Sequence, residues 1–187
     1  PAPDDIVKSL IHAIAHKDYA QAEVLARRIL ASFPPDTAHE QEIASYRKIV
    51  AVTASLAAIV RARHLLFEDN AAQRAQGVIE DALKHLMSEG FDREPVPAFD
   101  ALLTLAESFK FDADGDEARE LWENQLSAER ISAWASDAGA QAAASKTPDH
   151  VISDEDLVIV QHDGQEDALE GMDSARLSPE DDLGVMP

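Results

Sequence analysis

Lys17-Asp18-Tyr19-Ala20-Gln21-Ala22-Glu23, running on to Phe33-Pro34-Pro35, is the stretch that decides the fold. A polar dipeptide precedes an amphipathic run in which Ala22, Leu25, Ala26, Ile29 and Leu30 recur at helical spacing. The residue before a proline avoids helical backbone, so Pro34-Pro35 ends this helix near Ser32. Upstream, Ile6, Leu10, Ala13 and Ile14 form another stripe behind Asp4 and Asp5, residues that suit a cap and the positive end of a helix. Two amphipathic helices joined by so short a turn make a hairpin. Asp69-Asn70-Ala71-Ala72-Gln73-Arg74-Ala75 and Asp114-Gly115-Asp116-Glu117-Ala118 echo the same turn-then-helix pattern.

Working outward, Asp36 or Thr37 opens a long third helix. Ile43, Tyr46, Ile49, Val50, Leu56, Ile59, Val60 and Leu66 keep its period to about Phe67. Such a length exceeds that of most globular helices and leaves room for a kink or break near Thr53. A fourth helix spans 71–88, with Ala75, Val78, Ile79, Ala82, Leu83 and Leu86 inward and Gly90 as its stop. After the two prolines of 93–97, a fifth covers 98–109 through Leu102, Leu103, Leu105 and Ala106. A sixth covers 117–136 through Ala118, Leu121, Trp122, Leu126, Ile131 and Trp134. Beyond Gly139 the period decays. The expected organisation is an all-helical domain over residues 1–139 and an acidic, mostly disordered tail over 140–187.

Composition agrees with helices packed through small side chains. Hydrophobic residues make up 45% of the chain but aromatics only 5%, so Ala and Leu carry the core. The absence of cysteine removes disulfides and thiolate metal sites, and fits a reducing, cytoplasmic setting. The longest apolar stretch, Ile49 to Val60, is interrupted by Thr53 and Ser55 and is short for a membrane span. Pro1-Ala2-Pro3-Asp4-Asp5 shows no basic segment followed by an apolar one, so no signal peptide is expected in this chain. Net charge is -20. Twelve acids and two bases lie between Ser145 and Pro187, making that stretch several times more acidic per residue than the rest. This charge repels nucleic-acid phosphates and anionic lipid, so the expected partner is a protein, and a basic one.

The hairpins resemble tetratricopeptide repeats, a family in which small residues let paired helices approach and a proline often closes the second helix. Ala22 takes the small-residue place in the first unit, with Pro34 twelve residues later. Leu102, Leu105, Ala106 and Phe109, then Ala118 and Trp122, follow the family spacing in the third. Ile59, Ala62, Leu66, Ala75, Ile79 and Ala82 follow it loosely in the second. Ala22, Ala75 and Ala118 stand 53 and 43 residues apart, wider than the family's repeat of about 34 residues, and the first-helix glycine is missing. The resemblance implies TPR-like helical hairpins; an irregular helical bundle of about six helices is the other reading the pattern allows.

No constellation marks a reaction. Asp112, Asp114, Asp116 and Glu123 match ligand positions of a calcium loop, but Glu117 stands where a glycine permits the sharp turn. A capped turn between helices explains these acids more simply. His12 and His16, four apart on one face, make half of a zinc site and lack a third ligand. His64 and His85 sit near helix ends, where positive charge is favoured. Neither a Gly-rich phosphate loop nor a Gly-x-Ser-x-Gly elbow is present. No catalytic residue, cofactor or metal is therefore assigned.

Leu157, Val158, Ile159 and Val160 form an aliphatic island behind Asp154-Glu155-Asp156. It resembles a SUMO-interacting motif, which implies strand addition to a partner's sheet edge; docking on its own domain is the alternative. The function expected from the sequence is a non-catalytic adaptor, scaffold or chaperone-like protein holding a partner helix or peptide. A structural subunit of an assembly, or an enzyme with a dispersed site, are the alternatives.

Overall fold

The computed structural model describes residues 3–152, and every regular element among them is helical. Seven α-helices follow one another: α1 Pro3–Ala15, α2 Tyr19–Ser32, α3 Glu40–Phe67, α4 Ala72–Ser88, α5 Pro97–Phe111, α6 Asp116–Asn124 and α7 Ala128–Ala144. Short 3-10 turns, Thr37–His39 and Phe91–Arg93, precede α3 and follow α4.

The first hairpin forms as its residues dictate. Ile6, Val7, Leu10, Ala13 and Ile14 bury one face of α1. Lys17 takes the left-handed conformation, φ 62°, that reverses the chain, and the Asp18 amide donates to the Ala13 carbonyl at 2.9 Å. Asp18 then caps α2 by accepting from the Gln21 amide at 3.1 Å. The α3–α4 turn repeats the device, with Asn70 at φ 50° and the Ala71 amide bonded to the Leu65 carbonyl at 2.8 Å. At the end of α4, Gly90, φ 80°, is the expected stop.

Helix α3 is the axis of the domain. It packs against α2, α4, α5 and α7 and touches α6. At 28 residues it spans about 42 Å. It does not break at Thr53; the buried Thr53 hydroxyl is satisfied within the helix, donating to the Ile49 and Val50 carbonyls of the preceding turn at 2.9 and 3.2 Å. An 18-residue window of the segment Thr37–Phe67 reaches mean hydropathy 1.6, long and apolar enough to cross a membrane, against the expectation from Ile49–Val60 alone. Two-thirds of that window, 67%, is buried within the helices around it.

The expected sixth helix is two. Residues 125–127 leave the helical path, and Ser127 starts α7 by accepting from the Arg130 amide at 3.1 Å. The bend lets α7 pack along both α1 and α3. Gly139 lies inside α7 where that helix meets α1; a Cβ there would stand 3.7 Å from Ile14. The helix continues to Ala144 with Ala138 and Ala142 buried, and Pro148 and Val151 are buried beyond it. Leu103, expected inward, is 38% exposed. Ala22, Ala75 and Ala118 are completely buried.

Candidate functional site

Leu157, Val158, Ile159 and Val160 lie outside the described residues. The acidic turn lies within them. Asp112 closes α5, and its carboxylate accepts from the Asp114 amide at 3.0 Å. Gly115, φ 88°, reverses the chain, and helix α6 begins at Asp116, so Glu123 sits two turns along it. The Arg119 guanidinium engages the turn. It donates to the Asp114 carbonyl at 3.3 Å and Asp116 at 3.1 Å, and reaches Asn70 at 2.8 Å and the Leu66 carbonyl at 3.3 Å. Arg119 thus ties α6 to the end of α3. His12 and His16 stack at 3.9 Å, and one His16 ring nitrogen lies 2.9 Å from the His12 carbonyl. Among the described residues no three His, Cys, Asp or Glu side chains converge on one point.

A different place gathers exposed apolar surface and charge. Helices α2 and α4 flank α3 on either side and run antiparallel to it, since each joins it by a short connection. Between them lies a trough of about 470 Å³. Its floor is Ala54, Ala57 and Ala58 of α3, about one turn of methyl groups. Ala20 and Glu23 stand on the α2 wall; Val78, Asp81, Ala82, His85 and Leu86 stand on the α4 wall. The small floor makes the depth: leucines at these positions would fill the space between the walls.

One end of the trough is bridged. Arg27 of α2 donates to both carboxylate oxygens of Glu89, at 2.6 and 3.0 Å, and to Glu23 at 2.9 Å. Its side chain is only 12% exposed. Burial works against its charge, and the bonds to Glu89 with the charges of Glu23 and Glu89 outweigh this, holding its pKa above the ordinary arginine value. Beside it, Arg47 bonds Glu94 at 3.1 Å and the Glu89 carbonyl at 3.3 Å. The Arg47 guanidinium lies 4.3 Å from the centre of the buried Phe91 ring, with Arg27 at 5.8 Å. Two guanidiniums, two carboxylates and one ring thereby fix the α4–α5 connection against α2 and α3. His85 stands 3.6 Å from Glu89 at the same end.

The other end, at Ala20, Arg61 and Val78, is open in that no ion pair bridges its walls among the described residues. Arg61 and Asp81 face the trough, and both are exposed and make no ion pair among the described residues. A smaller hollow of about 240 Å³ lies between α5, α6 and α7, with Pro97, Leu121, Leu126 and Trp134 in its lining.

Sequence reasoning pointed to a groove without locating it. The signal was present in α3, where alanines 51, 54, 57, 58 and 62 return every three or four residues. Ala51 and Ala62 are core contacts and Ala54, Ala57 and Ala58 are floor, and only the placement of α2 and α4 separates the two. Comparison of the chain with protein families, curated proteins and solved structures finds no match.

Proposed function

We propose that this chain is a non-catalytic protein-interaction module, of adaptor, scaffold or chaperone-like kind, which holds a helix or peptide of its partner in the α2–α3–α4 trough. One observation carries the reading: two helices flank a third whose outward face between them is methyl groups. Apolar surface set between walls is what a docking helix buries. The trough's bridged end and open end give that helix one way to lie. Arg27, Glu23 and Glu89 are committed to each other, which suits a rigid wall better than proton transfer. The pairs α1–α2, α3–α4 and α5–α6 support a TPR-like account of the architecture, with α7 as an added helix. The Leu157–Val160 island is a second recognition element in this proposal, resting on its sequence alone. The hollow beside Trp134 favours a second reading, a structural subunit joined to its neighbours through α5 and α7.

Position-resolved photo-crosslinking tests the groove. A crosslinker at Ala20, on the open end, is expected to capture a defined partner in cells, and one at Glu107, exposed on α5, is not. Ala57→Leu should suppress the Ala20 product. Equal capture at both positions overturns the reading, and so does turnover of a small molecule by the purified chain that is lost on substituting a polar residue of the trough.

A further inference from the structure

Several places were candidates for a further site. The His12–His16 stack lacks a third ligand, and at the turn Asp112–Asp116 the Asp116 carboxylate is paired with Arg119 and no three ligating side chains converge among the described residues. The Trp134 hollow is small, and its one cation, Arg130, is engaged by the Gln125 carbonyl at 3.0 Å. The trough carries more, because its shape and charge together constrain what enters it.

We infer that the occupant of the trough is a cationic amphipathic helix, lying with a stripe of small and aliphatic residues on Ala54, Ala57 and Ala58 and with lysines or arginines toward the α4 wall. The inference rests on the groove reading above and names its ligand.

The floor sets the stripe. A helix resting on alanines approaches α3 closely, and bulky side chains fit only along the two walls. The length available, Ala54 to Arg61, is about 10 Å, or two turns of the incoming helix. The remainder emerges at the open end.

Charge sets the flank. Near the bridged end the lining carboxylate of Glu23 is offset by Arg27. Farther along, Arg61 and Asp81 are both unpaired and offset each other. The trough's own lining is thus close to neutral, and the acidity lies in the chain around it, which carries -20. A second copy of this chain would bring the same charge against itself. An acidic helix meets that repulsion too. A cationic helix is drawn in by the field of the whole molecule and finds Asp81 free to pair.

The test uses the full chain and two labelled synthetic helices of about 18 residues, roughly five turns. Both carry an Ala/Leu stripe; one has lysine on its remaining face and the other glutamate. Fluorescence anisotropy is expected to show the lysine helix binding at least about tenfold more tightly, with affinity falling as salt rises. Ala57→Leu, which fills the floor, and Ala20→Lys, on the exposed wall, should each weaken it about tenfold or more. Ala20 is exposed, so that variant keeps the test valid even where Ala57→Leu fails to fold. Asp81→Lys should weaken the lysine helix and spare the glutamate one. Unchanged affinity in both Ala variants means the lysine helix binds elsewhere on this acidic chain, and the inference and the groove reading fall together. If the variants weaken both helices equally, or the glutamate helix binds as well, the groove stands and the cationic assignment is lost. Failure of the wild-type chain to bind either helix overturns the assignment alone.

Discussion

Two glycines offer a paired measurement that reports on the turn holding α6 against α3. Gly115 sits at φ 88°, and a Cβ built on it would stand 2.8 Å from Leu66 Cδ1 and 3.4 Å from the Ala72 Cβ. Gly115→Ala therefore carries two costs. Left-handed backbone disfavours an L side chain by about 1–2 kcal/mol. Crowding a packed site adds about 1–3 kcal/mol, moderated because the leucine methyl can shift. The expected loss is about 2–4 kcal/mol. Gly77 lies inside α4 with nothing within 4 Å of its would-be Cβ. Gly77→Ala should instead stabilise by about 0.5–1 kcal/mol, because alanine restricts the unfolded chain and favours helix. Urea denaturation followed by far-ultraviolet circular dichroism gives both values on one baseline. A Gly115→Ala variant within about 0.5 kcal/mol of wild type would refute either the left-handed turn or its contact with Leu66. A destabilising Gly77→Ala would show that this face of α4 is covered.

Three further outcomes follow from positions already described. Lys17→Gly relieves a left-handed lysine at φ 62° and should raise stability by about 1 kcal/mol; no gain in the urea midpoint counts against that turn. Tyr46 is fully buried, its hydroxyl has no hydrogen-bond partner among the described residues, and burial pushes its pKa up to about 12. Its phenol thus stays protonated in the fold while the unfolded chain begins to ionise near pH 10, so stability falls as pH rises between the two. Tyr46→Phe should be neutral near pH 7 and gain on the order of 1 kcal/mol over wild type at about pH 11, as equilibrium unfolding across alkaline pH will show. A chain ending at residue 145 lacks the buried Pro148 and Val151 and should be about 2 kcal/mol less stable than one ending at 152; identical urea midpoints would place these residues outside the core.

Much of the fold was legible because helix signals are local. The 19–32 helix, its proline stop, the Gly90 stop and the buried faces around Ala22, Ala75 and Ala118 all follow from spacing within a dozen residues. Three features were not legible, for distinct reasons. The division between α6 and α7 depends on a serine cap inside an unbroken apolar period, where Leu126 and Ile131 still face the core. Continuation of α7 past Gly139 depends on α1, since an alanine run has no reason to hold its helix until a neighbour buries it. The trough depends on what flanks α3, and the same alanines read as core until the two walls are placed. The Arg27–Glu89 bridge spans 62 residues, a separation at which charge pairing leaves no trace in the sequence.

The contact of α7 with α1 has a consequence for how the domain comes apart. In an open array of helical hairpins each unit leans only on its neighbours, and the ends peel first at little cost. Here the last described helix rests on the first. Release of either exposes Ile14 and the apolar face they share, so neither α1 nor α7 is a free end of the helical array. Amide protons of the two helices, distant in sequence, should then exchange with solvent in a single cooperative opening.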